Sequence, residues 1–220
     1  MKKPVFVLLT LTALLVNSFL YAATVQGDEI KAGFSDISGH WAENSIRKMS
    51  ESGIVHGVGD NKFMPDTAMK RCEFVSLLHK ALGIQINYFR ETDITEVYQD
   101  VKNEDWYAGS LYDLIATGIV DDKVCFRPND FLAREEMAHY IVRAYEYKKG
   151  FAERDELTLQ QFKDFDQIGE LFRTDSGKAV KMKLMFGKGD GLFQPKATGS
   201  RAEVVVVVER LISAVNNSQY

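Results

Sequence analysis

Cysteine and proline are both scarce in this 220-residue chain, with two of the first and four of the second. Two cysteines, Cys72 and Cys125, build no disulfide framework, so side-chain packing must supply the core. Cys72 reads as a small buried side chain; the alternative is a single bridge to Cys125. Positive charge is short as well: 27 Lys and Arg against 31 Asp and Glu leave a net charge of −4. That balance opposes general binding to nucleic acid or to an anionic membrane. The four histidines show no metal-ligand spacing, and Asp164-x-Asp166 lacks the rest of a calcium loop. Nucleophile elbow, His-Glu-x-x-His and P-loop are all missing, since Gly187-Lys-Gly189-Asp-Gly191 runs into Phe193 and Pro195 rather than into a helix. The sequence therefore predicts no catalytic site, no metal and no cofactor.

Only one long apolar run occurs, from Val5 to Val16. Lys2 and Lys3 precede it and Ala22 and Ala23 follow, the pattern of a secretory signal peptide over residues 1–23. Export is the expectation, and removal of the segment takes the net charge from −4 to −6. The alternative is an uncleaved anchor, the one case in which a membrane would be a partner; Thr10, Thr12, Asn17 and Ser18 make it a poor span.

Three of the four prolines are part of a repeat. Phe63-x-Pro65, Phe126-x-Pro128 and Phe193-x-Pro195 each precede an arginine by six residues, at Arg71, Arg134 and Arg201. The arginines stand at intervals of 63 and 67 residues, so one unit of about 60 residues fills most of the chain. After each arginine, apolar residues recur at i, i+3, i+4, i+7 and i+8. They are Phe74, Leu77, Leu78, Ala81 and Leu82 in the first unit, and their equivalents begin at Met137 and Val204. That is one helical stripe. Shorter helices are predicted upstream, from Trp41 to Gly53 and from Trp106 to Gly118, with Gly as the terminal cap. Proline separates the two helices and predicts an extended Phe-x-Pro segment. The fold class is mainly α, in three helix-turn-helix units whose matched stripes bury one another.

An arginine in the first turn of a helix opposes the helix dipole unless it meets negative charge. One partner is a carboxylate of the repeated aromatic-x-Asp triplet: Asp36, Asp100 or Asp164. The other is a ligand carboxylate or phosphate received by the guanidinium fork beside a helix N-terminus rich in unpaired N–H groups. Both readings stay open from the residues alone. Only Ser200 supplies a hydroxyl N-cap; Lys70 and Ala133 hold the equivalent places. Trp41 and Trp106 read as core residues at the head of an amphipathic helix, or as platforms on which a pyranose ring stacks.

Five ordered motifs resemble a known family. Phe34-Ser-Asp36, His40-Trp41-Ala42, Gly53-Ile54-Val55-His56-Gly57, Phe63-Met-Pro65 and Lys70-Arg71-Cys72-Glu73 are similar to the pattern of the S-layer homology (SLH) domain. The resemblance recurs three times over residues 34–212. It divides the chain into a short segment at 24–33, repeats at 34–83, 98–145 and 162–214, charged exposed linkers at 84–97 and 146–161, and a tail at 215–220. It implies a pseudo-threefold arrangement around a central three-helix bundle, with ligand grooves between neighbouring units. It also implies a non-catalytic anchor at the bacterial cell wall or surface, bound to secondary cell-wall polysaccharide attached to peptidoglycan, commonly bearing pyruvate. On that reading Arg71, Arg134 and Arg201 meet the acidic sugar. Asp36, Asp100, Asp164, Trp41 and Trp106 shape the grooves, and Gly57 and Gly187 let backbone approach closely. The third unit has Leu171-Phe172 where the others carry Trp, and the second lacks the later Gly, so unequal grooves are expected. Because the first unit keeps Trp and both glycines, Arg71 is expected to matter more than Arg201. With nearly all of the chain given to repeats and no passenger domain evident, docking to another envelope protein is the alternative function.

Overall fold

A computed structural model describes residues 33–89, 92–121 and 124–217; the signal-peptide expectation for residues 1–23 lies outside them. Residues from Phe34 onward form one compact unit. Its long helices are α2 (Arg71–Leu82), α4 (Arg134–Lys149) and α6 (Arg201–Asn217), one per repeat, and its short helices are α1 (Glu43–Glu51), α3 (Ala108–Ala116) and α5 (Glu170–Lys181). The valine run 204–208 is helical, as its place in the repeat predicts.

The predicted stripes are the core: Phe74, Leu78, Met137, Ile141, Val204, Val208 and Leu211 are fully buried. Helix α6 packs against both α2 and α4. Each short helix, however, packs on the long helix of a different unit: α3 on α2, α5 on α4, and α1 on α6. The units are therefore not self-contained hairpins. Each lends its short helix to the unit before it, and the first lends α1 to the third, which closes the set.

The same cyclic exchange runs through the backbone. The Met69 N–H donates to the Gly199 carbonyl, Gly199 N–H to Leu132, and Leu132 N–H to Met69, at 3.0, 2.9 and 3.0 Å. One amide from each unit thus closes a ring of hydrogen bonds between equivalent segments. Next to it, the opening N–H groups of each long helix find carbonyls in the following unit's proline loop. Arg71 and Cys72 donate to Asp130 and Pro128, Arg134 and Glu135 to Ala197 and Pro195, and Arg201 and Ala202 to Thr67 and Pro65. The first two amides of each long helix are thus taken by neighbouring carbonyls and are not open to an anion. Ser200 Oγ accepts from the third amide of its helix, at Glu203, a cap that Ala133 has no hydroxyl to supply. Glu73, Glu136 and Glu203 reach back to the N-cap amides in all three units.

The linkers are largely exposed, as expected, but a few of their residues pack against the repeats. Ile84 and Ile94 are buried, helix α4 runs four residues past the assigned repeat end at 145, and Leu157–Gln161 forms a 3-10 turn that buries Leu159 against α5. Both cysteines are free, Cys72 buried and Cys125 exposed. Among the described residues no helix is long and apolar enough to cross a membrane.

Candidate functional site

Each proline loop is held by the aspartate of its own unit. The Asp36 carboxylate accepts from the amides of Phe63 and Met64 at 2.9 and 2.8 Å, Asp100 from Phe126 and Arg127, and Asp164 from Phe193 and Gln194. To present both amides to one carboxylate, the middle residue of Phe-x-Pro turns left-handed: φ is +57° at Met64, Arg127 and Gln194. The segment is thus a turn and not the extended stretch expected from proline alone, because two charge-assisted bonds outweigh the cost of positive φ. The aspartates therefore serve the loop, and they are not the hydrogen-bond partners of the arginines.

Each arginine reaches into the following unit. Arg71 Nε donates to the Phe126 carbonyl, Arg134 Nε to Phe193, and Arg201 Nε to Phe63, at 2.8, 3.0 and 2.9 Å. The guanidinium carbons lie over the rings of those same phenylalanines at 5.0, 5.3 and 4.7 Å, a cation–π contact of about 0.5–2 kcal/mol. The facing carboxylate is the glutamate of the following unit: Glu136 for Arg71, Glu203 for Arg134 and Glu73 for Arg201.

The tryptophans are not core residues: Trp41 is 63% and Trp106 68% exposed. Together with the exchanged arginines they produce grooves to which all three units contribute. The first groove, about 390 Å³, is lined by the first unit's Ile54–Val58 turn, Glu73 and Lys80, by Trp106 of the second unit and by Arg201 of the third. Another, about 150 Å³, joins the third unit's turn at Phe186 and Gly187, Glu203 and Arg210 to Trp41 and Arg134.

In both grooves the arginine has a spare nitrogen. Arg201 Nη2 donates to the His56 carbonyl and Arg134 Nη2 to Phe186, whereas Nη1 hydrogen-bonds nothing among the described residues. It faces Glu73 at 3.6 Å and Glu203 at 3.7 Å, beyond hydrogen-bond reach. Burial pushes both arginines down from the ordinary guanidinium pKa, a state that a ligand anion would relieve.

The remaining arginine is closed off. Burial also disfavours the charge of Arg71, but Tyr140 and Glu136 outweigh it and hold its pKa up. Nη1 donates to Glu136 and Nη2 to the Tyr140 hydroxyl, so every nitrogen is engaged. Tyr140 stands where the other units have Leu77 and Val207. His139 stands where they have Ser76 and Val206, buried between Asp175 at 2.6 Å and Asp121 at 3.1 Å. Arg143 also binds Asp121, at 2.5 Å. The exposed Leu171 is twelve residues before Lys183, as Trp41 and Trp106 are before Gly53 and Gly118.

Sequence reasoning missed Lys80, Arg143 and Arg210, although all three lie nine residues after the repeated arginine. Lys80 contacts His56 Nε2 at 2.9 Å, and Arg210 lies 4.7 Å over the Phe186 ring. Gly57 and Gly187 have their space filled from inside. A Cβ on Gly57 would stand 2.6 Å from the Lys62 carbonyl oxygen and 2.7 Å from the Phe34 ring; at Gly187 the neighbours are Phe162 and Leu192.

Fold and grooves together define a helical repeat module with composite surface sites. The S-layer homology domain model matches residues 33–75, 97–138 and 177–205, and the chain belongs to that family. It is 31% identical over 185 residues to an exoglucanase, XynX, of Acetivibrio thermocellus, covering 84% of this chain and 16% of the relative. A cellulosome-anchoring protein of the same species is 30% identical over 35% of this chain and 21% of its own length. S-layer protein EA1 of Bacillus anthracis is 23% identical over 96% and 23%. This chain thus spans less than a quarter of each of these relatives, and its likeness to the exoglucanase lies in the repeats. Family membership makes this an exported protein of the cell surface or wall.

Proposed function

We propose that the chain is a non-covalent, non-catalytic cell-wall anchor whose grooves bind an acidic secondary cell-wall polysaccharide, with a pyruvylated sugar as the charged residue. The Nη1 of Arg201, which makes no hydrogen bond among the described residues and meets Glu73 only at ion-pair distance, stands beside exposed Trp106 and Lys80 and carries this reading. A carboxylate placed there gains charge-assisted hydrogen bonds, while the indole face takes the apolar side of the sugar ring. Arg134, Arg210 and Trp41 repeat the combination in the smaller groove. Arg71 plays a structural part instead.

Cosedimentation with cell-wall sacculi tests the proposal. Binding to native sacculi that disappears once the polysaccharide is extracted is the expected result; undiminished binding to extracted sacculi overturns it. A second reading is docking of an envelope protein. It draws on the 350 Å³ cleft between the turn at Thr117 and Gly118 and the C-terminal end of α4, where Phe151 is 97% and Tyr147 46% exposed beside Arg143. Binding that survives extraction but is lost after protease treatment of the sacculi would favour it.

A further inference from the structure

Trp106 separates two cavities. On one side is the 390 Å³ groove with Arg201; on the other is a second cavity of about 440 Å³, and Ser76, Lys80 and Trp106 line both. The second cavity has a different chemistry. Beside the shared Lys80, His79, Gln85 and Ser110 offer hydrogen-bonding groups, Ile84 gives an apolar wall, and no carboxylate among the described residues lines it. His79 is fixed by Asp113 at 2.7 Å, which in turn accepts from the Tyr88 hydroxyl. Between the cavities the Ser76 Oγ is buried and has no hydrogen-bond partner among the described residues. Both volumes fall in the range of small-molecule sites, roughly 300–1,000 Å³. The equivalents of Ser76 are His139, which fills the closed groove, and Val206, which bounds the 150 Å³ one.

We propose that the first groove reads two consecutive sugar residues, one on each side of Trp106. The acidic residue lies against Arg201 and Lys80. An uncharged sugar bearing hydroxyl or acetamido groups lies in the second cavity against Gln85, Ser110 and His79. The assignment rests on the polysaccharide reading above and adds to it a length requirement.

Isothermal titration of the full chain with sized fragments of wall polysaccharide that retain their acidic substituent, from one sugar residue upward, separates the two claims. Two-residue and longer fragments bind at least about tenfold more tightly than the single acidic residue. Ser110→Trp fills the second cavity and brings the longer fragments down to single-residue affinity, while binding of the single residue stays within about twofold. Gln85→Ala, at an exposed position, reduces the length preference in the same direction without depending on how Ser110→Trp folds. Equal affinity for single and longer fragments, or a length preference unchanged in Gln85→Ala and in folded Ser110→Trp, overturns the second subsite and leaves the acidic one standing. No binding by any fragment overturns both.

Discussion

Asp36 shows how one side chain sets a loop. Burial pushes its carboxyl pKa up, but the amides of Phe63 and Met64 and the charge of Lys62 outweigh this and the net shift is downward. A carboxyl depressed in the folded state contributes stability that is complete above its unfolded pKa, about 3.9, and is lost as pH falls through the folded value. Denaturation midpoints should therefore drop below pH ~4, and more shallowly in Asp36→Asn than in the parent, since an amide does not titrate. An identical acid profile for the two would remove Asp36 from the account. At Gly57 the argument is steric. Gly57→Ala forces the chain away from backbone at Lys62, and a loss of about 1–3 kcal/mol in chemical denaturation is expected. What the sequence made legible at this scale was residue type, not task. The aspartates, glycines and arginines stood out by recurrence, yet a carboxylate that grips amides and one that grips guanidinium look alike in a sequence.

Helices were legible because their apolar periodicity is local, and so was the break that proline imposes. Packing partners were not. Short loops suggest that a helix folds back on its sequence neighbour, whereas α1, α3 and α5 each rest on another unit's long helix. The linker after α4 was read as solvated from its charges, but its Asp155 backbone lies on α5 at Gly177, where a Cβ would come within 1.7 Å of the carbonyl oxygen. Gly177→Ala should therefore lift the 150–161 segment from the helix. Limited proteolysis should cut there sooner than in the parent, with the proline loops unaffected; unchanged cleavage would contradict this packing.

On the scale of the molecule, exchange between units decides which residues share a groove. Arg71 was expected to matter more than Arg201 because its own unit keeps Trp and both glycines. Arg201 lines that unit's groove instead, 145 residues from the His56 carbonyl it binds. Arg71 belongs to the set closed by Tyr140 and His139. Two consequences oppose one another. Arg71→Ala leaves the largely buried Glu136 with only the exposed Arg127 as an ion-pair partner among the described residues and should cost about 3 kcal/mol in equilibrium unfolding, with wall affinity changed by less than about threefold. Arg201→Ala also removes a cation–π contact, but its principal effect should be on binding.

The most direct test is the affinity of the parent, Arg71→Ala and the Arg134→Ala/Arg201→Ala double variant for native sacculi, measured where all three are folded. The composite-groove account predicts near-parental binding by Arg71→Ala and a loss of about 100-fold or more for the double variant, from one charge-assisted pair removed at each open groove. Loss in Arg71→Ala equal to that of the double variant, or retention in the double variant, would contradict it.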